Sequence, residues 1–291
     1  MDIVEKMNPL FKQGQAGDSK DFILFILQRL HKELKKIVNS KNESSPKKKD
    51  PLDQYDKNIA FNEFYADYKD NSSIISDIFF GFLETTNECL KCKKYSDLQG
   101  VNNPTCYKYG VFKCLIFPLE EVKNMKSNSL NYNNIQHEKE ITISLDECFI
   151  YNQKSDLCSG DNRHYCNICK KLCDSIYTTR ILVGPEVLII ILDRGKGNIY
   201  DIKLDFSETI NLSQFILQKE KEKAKVIYNL YGVITHVGKG APNAHFVASC
   251  KSPIDYKWYR YNDTVIKPIT DIQSEVIEYG TPYILFYEKK N

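Results

Sequence analysis

The chain has 291 residues, enough to bury one large core or two modest ones. Its 40 basic and 38 acidic side chains leave a net charge of +2, which excludes the strong basic field that nucleic acid or an acidic membrane surface selects. No stretch reaches the roughly 18 apolar residues of a membrane-spanning helix, and MDIVEKMNPLFKQGQ lacks the charged-then-apolar pattern of a signal peptide. The ten cysteines are therefore expected in a reducing compartment, cytosol or nucleus, where cysteine pairs read as metal sites before disulfides.

Residues 18 to 39 predict a helix. Ile23, Leu27, Leu30, Leu34 and Ile37 form one apolar stripe, Asp18 or Ser19 caps the first turn, and basic residues gather at the end. Residues 40 to 54, SKNESSPKKKDPLDQ, read as a disordered linker. Phe61, Phe64, Tyr65 and Tyr68 then recur at helical spacing, and Ile75 and Phe79 are core candidates.

Residues 84 to 180 hold most of the cysteines. Cys89-x-x-Cys92 and Cys166-x-x-Cys169 can each place two thiolates on a tight knuckle, and two knuckles make a tetrahedral four-thiolate site. Cys173, four residues on, is a rival ligand. Cys106, Cys114, Cys148, Cys158 and Cys250 lack paired spacing and read as packing residues. Phe117–Leu119 and Ile141–Leu145 read as sheet, with the Asn/Lys-rich 123–139 as a loop. The unbroken apolar run Val187 to Leu192 suits a strand buried on both faces. Residues 215 to 224 read as loop or a short exposed helix.

The last third carries three strand patterns. Phe246, Ala248 and Cys250 alternate with Val247 and Ser249; Trp258, Tyr259 and Tyr261 form a second run; Ile284 to Tyr287 form a third. His245 stands where a glycine-rich loop meets a strand, and Asn262 where a strand ends. A histidine oriented by Asn or Asp is two-thirds of a nucleophile-activating triad.

Four ordered segments carry a family resemblance. They are Tyr228-x-Leu230-Tyr231-Gly232-Val233-Ile234-x-His236, Ala244-His245-Phe246-x-Ala248, Trp258-Tyr259-x-Tyr261-Asn262-Asp263-x-Val265 and Pro282 to Tyr287. Together they resemble the C-terminal half of the ubiquitin-specific proteases, with Ala244 replacing the family's glycine. Gln15-x-x-Asp18-Ser19-x-Asp21-Phe22 with Leu30-His31-x-Glu33-Leu34 resembles the helix that follows the family's catalytic-cysteine region, which makes His31 structural. The strand ending Asp193-Arg194-Gly195 stands where the family has a Lys-Arg-Phe type end, and Gly184 precedes Pro185 where the family has leucine.

The resemblance implies an α+β, papain-like cysteine peptidase fold with a helical thumb (1–83), zinc-ribbon-like β fingers (84–180) and a β-sheet palm (181–291). It implies cleavage after the C-terminal glycine of ubiquitin. His245 would be the base, Asn262 its orienting partner and Asp263 a support for the oxyanion or a nearby water. One structural Zn²⁺ would be held by Cys89, Cys92, Cys166 and Cys169. Ubiquitin and ubiquitinated proteins are the expected partners, and a monomer the expected state. Gly238–Asn243 would line the channel for the ubiquitin tail. The family's Asn-x-Gly-Asn-x-Cys box has no counterpart here; Asn103-Pro104-Thr105-Cys106 lacks its Gly-Asn pair. The chain is thus expected to be an N-terminally incomplete family domain whose nucleophile lies upstream. The alternatives are a ubiquitin-binding pseudoenzyme and a plain zinc-stabilised scaffold.

Overall fold

A computed structural model describes residues 2–12, 17–35, 52–99, 104–130, 141–195, 202–217, 225–238 and 245–290. The N-terminal part is helical: α1 (Asp2–Met7), α2 (Ser19–Glu33), α3 (Lys57–Asp70) and α4 (Ile74–Phe79). The Asp18 carboxylate accepts from the Lys20 backbone N–H at 2.8 Å and starts α2. The helix stops at Glu33, short of the expected residue 39, and Lys35 already bridges Ser73 as extended backbone. Of the expected stripe, Leu27 is buried, Ile23 packs beside it, Leu30 and Leu34 are exposed, and Ile37 lies outside the described residues. His31 joins α2 to α4 through Nδ1, 2.7 Å from the hydroxyl of Ser73. Ser73 and Ser76 close a reciprocal cap on α4. Of the linker expected over 40–54, residues 40–51 lie outside the described residues, whereas Asp53–Tyr55 form a 3-10 turn.

β1 (Gly81–Cys89) runs directly into α5 (Leu90–Gln99), and β2 (Thr105–Phe112) returns antiparallel to β1. β3 (Leu115–Pro118) then leaves for a different sheet. α6 (Leu119–Leu130) follows where a loop was expected from 123, because Leu119 and Val122 are spaced to bury one face completely. Leu119 and Leu145 therefore open helices rather than extend strands: β4 (Ile143–Ser144) is short, and Ser144 caps α7 (Leu145–Asn152) in a box with Glu147. β5 (Ser155–Cys158), the hairpin β6 (His164–Cys166) and β7 (Lys171–Cys173), and β8 (Ser175–Val183) complete this region. The finger sheet has the order β2-β1-β8-β5. On it stand the α3 aromatics: Phe61 meets Tyr109, and Phe64 and Tyr68 meet Phe82 edge-on.

The remaining strands are β9 (Val187–Asp193), β10 (Leu204–Asp205), β11 (Thr209–Asn211), β12 (Ile227–Val237), β13 (His245–Lys251), β14 (Trp258–Asn262), β15 (Val265–Ile269) and β16 (Thr281–Lys289). Most join β3 in the large sheet, ordered β15-β14-β13-β12-β16-β9-β3, with β11 on β12. β9 explains its unbroken apolar run. Leu188, Ile190 and Leu192 join the core cluster of Phe117, Phe149 and Tyr287, whereas Ile189 and Ile191 pack with Leu27 of α2 on the other face. Phe215, placed in a loop by its sequence, is buried and stacks on Phe149; residues 218–224 lie outside the described residues.

Gly184 has a steric reason. The fully buried Tyr228 donates its hydroxyl to the Pro185 carbonyl at 2.6 Å, and a Cβ on residue 184 would collide with that hydroxyl. Gly184→Ala is expected to destabilise the fold by about 1–3 kcal/mol. In the Gly184→Ala/Tyr228→Phe pair the two costs should sum to more than the measured total, because the second change removes the clashing oxygen. Urea midpoints of the four proteins check this.

Candidate catalytic dyad and metal centre

His245 is the first residue of β13 and Asn262 the last of β14. These strands pair antiparallel with Ala248 opposite Tyr261. Continuing that register by one step sets Asn262 opposite Val247. His245 stands two residues along from Val247, on the same strand face and diagonal to Asn262. The imidazole Nε2 lies 2.6 Å from Asn262 Oδ1. A carboxamide oxygen only accepts, so Nε2 carries the proton and donates it. Nδ1 is then the ring's lone-pair nitrogen, the atom that can take a proton from a thiol.

Asp263 occupies the first position of the two-residue turn into β15, with left-handed backbone at φ 50°. Its carboxylate is 78% exposed and reaches only to 3.8 Å from His245 Nε2. At that distance and exposure it is a weak, solvent-screened neighbour of the ring. Residues 239–244, which include most of the expected channel loop Gly238–Asn243, lie outside the described residues. Gly238 itself has φ 106°, a conformation that glycine adopts without strain.

Two supports of this corner were not picked out by sequence. Arg260 shares the strand face of Asn262, lies 3.7 Å over the Tyr279 ring and donates to the Glu275 carbonyl. It thereby ties β14 to the π-helical turn Gln273–Ile277. Its signal was a lone cation in the aromatic run Trp258–Tyr261. Tyr283 of β16 donates its hydroxyl to both Asp18 carboxylate oxygens, at 2.8 and 3.0 Å, and so binds the head of α2 to the large sheet. On β13 the more deeply buried residues are Val247 and Ser249, on the His245 face; Phe246 packs against Tyr283 on the other.

The second site lies in the fingers. Cys89 ends β1, Cys92 sits in the first turn of α5, Cys166 ends β6, and Cys169 lies in the β6–β7 turn. Lys170, in left-handed conformation at φ 54°, lets that turn close. The Cys169 N–H donates to Cys166 Sγ at 3.4 Å. All four sulfurs lie within 4.8 Å of one another. The Cys92 sulfur is 3.3 Å from that of Cys169 and 3.7 Å from that of Cys166, and Cys89 to Cys169 is 4.0 Å. A tetrahedron with Zn–S bonds of about 2.3 Å has edges of roughly 3.8 Å, so the set fits a zinc ion.

Burial and hydrogen bonds from neighbouring thiols push Cys92 up. Burial also opposes ionisation of Cys166, but the N–H groups of Cys169 and Ile168 overcome it and bring this thiol down to about 7. Cys173 is buried in the same cluster. The other cysteines stand elsewhere: Cys106 and Cys158 in the finger sheet, Cys148 in the main core, Cys114 beside the α2 contact. Cys250 is five residues along β13 from His245, on the opposite strand face.

The geometry can be set beside known proteins. A family model described as ubiquitin carboxyl-terminal hydrolase matches residues 1–287. Over 288 residues the chain is 25% identical to ubiquitin carboxyl-terminal hydrolase 25 of Arabidopsis thaliana, covering 97% of this chain and 34% of that protein. It is 24% identical to ubiquitin carboxyl-terminal hydrolase 2 of Rattus norvegicus, covering 98% and 41%. The chain thus spans well under half the length of these two relatives. Among solved structures, the SAGA Ubp8/Sgf11/Sus1/Sgf73 DUB module bound to ubiquitin aldehyde matches with a TM-score of 0.62, at 21% identity, over 99% of this chain and 52% of that one. The fold is therefore that of the solved module, and a family match running almost end to end makes this chain a member of the ubiquitin carboxyl-terminal hydrolase family.

Proposed function

We propose that this chain forms the histidine-bearing part of a ubiquitin-specific thiol hydrolase, which cleaves the peptide or isopeptide bond after the C-terminal glycine of ubiquitin. The observation that carries this reading is the 2.6 Å bond from His245 Nε2 to Asn262 Oδ1, in a chain matched to the hydrolase family over residues 1–287. In the reaction a cysteine thiolate attacks the glycine carbonyl. His245 takes the thiol proton at Nδ1 and returns it to the leaving amine. Asn262 holds the ring in its working tautomer and orientation. None of the ten cysteines stands in an Asn-x-Gly-Asn-x-Cys box, and this reading takes the attacking thiol from a cysteine outside this sequence. Asp263, exposed and 3.8 Å from the ring, takes the role of a support for the oxyanion or a nearby water.

Cys89, Cys92, Cys166 and Cys169 would hold one Zn²⁺. The ion would supply no reaction chemistry. It would clamp the end of β1, the start of α5 and the β6–β7 hairpin, elements far apart in sequence. Free thiols at all ten cysteines suit work in cytosol or nucleus.

With the full-length gene product and a ubiquitin–fluorophore amide, His245→Ala should lower kcat by about 10²–10⁴-fold. Asn262→Ala should lower it less, with KM little changed in both. Full turnover by His245→Ala would overturn the assignment. Saturable shifts of isotopically labelled ubiquitin on titration with the wild-type protein, without turnover, would make the protein a ubiquitin-binding pseudoenzyme.

Purified protein should carry one zinc per chain, and a chelator should free four further thiols to a colorimetric reagent. Metal binding requires thiolates, and Cys92 binds its proton more tightly than a free thiol. Chelator competition should therefore show affinity falling as pH is lowered from about 8 to about 6. A pH-independent affinity would contradict a thiolate site.

A further inference from the structure

The cluster holds one thiol more than a tetrahedral ion can use. Cys173 ends β7, is only 6% exposed, and packs in the same buried cluster as the other four thiols. Cys169 is the only member of the cluster that is not buried. Both residues belong to one hairpin, joined through Lys170 and its left-handed backbone. Cys173 also borders a cavity of about 320 Å³, lined besides by Tyr55, Asn87, Cys106, His164 and Tyr177. A side chain packed in the thiol cluster on one side and bordering free space on the other can change rotamer without displacing a strand. Its register partner His164 is held separately, with Nδ1 2.7 Å from the Asn87 amide nitrogen and 3.1 Å from the Ser175 hydroxyl.

We infer that the metal centre is a five-thiol site in which Cys173 is a standby ligand that takes the coordination position of Cys169. This rests on the zinc reading above. In the exchange the Cys169 thiolate leaves the metal and takes a proton. The Cys173 thiol gives up a proton and bonds to the metal. One metal–sulfur bond breaks, one forms, and the charge of the centre is unchanged. Cys169 is the ligand that solvent, oxidants and alkylating agents reach first. With Cys173 behind it, the finger clamp keeps a four-sulfur centre after Cys169 is lost.

Cobalt(II) titration followed by absorption tests this, since the intensity of sulfur-to-cobalt charge transfer reports the number of thiolates on a tetrahedral ion. Wild type and Cys173→Ser should each bind one Co(II) with a four-sulfur spectrum. Cys169→Ser should show the same spectrum, with affinity lowered by less than about tenfold, below the cost of losing even an outer partner of a metal ligand. Cys169→Ser/Cys173→Ser should give a three-sulfur spectrum or no binding. A three-sulfur spectrum or no binding in Cys169→Ser, beside a normal wild type, would overturn the inference and leave the zinc reading intact. A four-sulfur spectrum in the double variant would also overturn it, by showing that another thiol is recruited. Wild type that takes up no Co(II) would overturn both readings.

Discussion

The register of β13 against β14 is the constraint on which the dyad depends. Successive side chains of a strand alternate between faces, so a slip of one residue would send His245 and Asn262 to opposite sides of the sheet. Several contacts hold that register. β13 pairs with β12 over six residues, beginning at Gly232 opposite Cys250. β12 is in turn fixed against β16, and β16 against the buried β9. On the outer side Arg260 pins β14 to the turn that precedes β16. The dyad sits near one edge of the sheet, yet its spacing is inherited from the centre.

The same sheet sets where the helices stand. Because β9 is apolar on both faces, it organises two cores at once, one with Phe149 and Phe215 and one with Leu27 of α2. The Asp18–Tyr283 hydrogen bonds then fix the start of α2 to β16, the strand that also supports β12. The helical part and the strand bearing His245 are thus referred to one frame. The fingers are stabilised differently. At their tip the short β6–β7 hairpin leaves Tyr165 and Leu172 exposed, and what is buried is a cluster of thiols in which Cys92 is pushed up by burial and its neighbours while Cys166 is brought down. A divalent cation removes that conflict by converting buried thiols into shared thiolates.

Much of this was legible in the sequence, for physical reasons that differ by element. The β9 run suits a doubly buried strand, and the α3 aromatics recur at helical spacing. Two C-x-x-C pairs were enough to single out the four cysteines whose sulfurs the fold brings within 4.8 Å of one another. The end of α2 at Glu33 was hidden, because the bridge from Lys35 to Ser73 is a long-range contact that overrides a continuing periodic pattern. The helix after Pro118 was hidden because its Asn and Ser residues have weak propensity, and burial of Leu119 and Val122 decides the matter. His245 and Asn262 were identifiable only by resemblance; nothing in their local sequence specifies a diagonal pairing. Cys173 shows the opposite limit: spacing named it a rival, and only the packing shows that it shares the cluster.

The central claim is that strand register presents His245 with Nε2 protonated toward Asn262 and Nδ1 free to act as base. NMR of isotopically labelled His245 ring nitrogens in alkaline solution tests it directly. The account predicts the Nε2–H tautomer in wild type and a mixture of tautomers once Asn262 is replaced by alanine. A ring protonated at Nδ1, or one indifferent to the loss of Asn262, would contradict it.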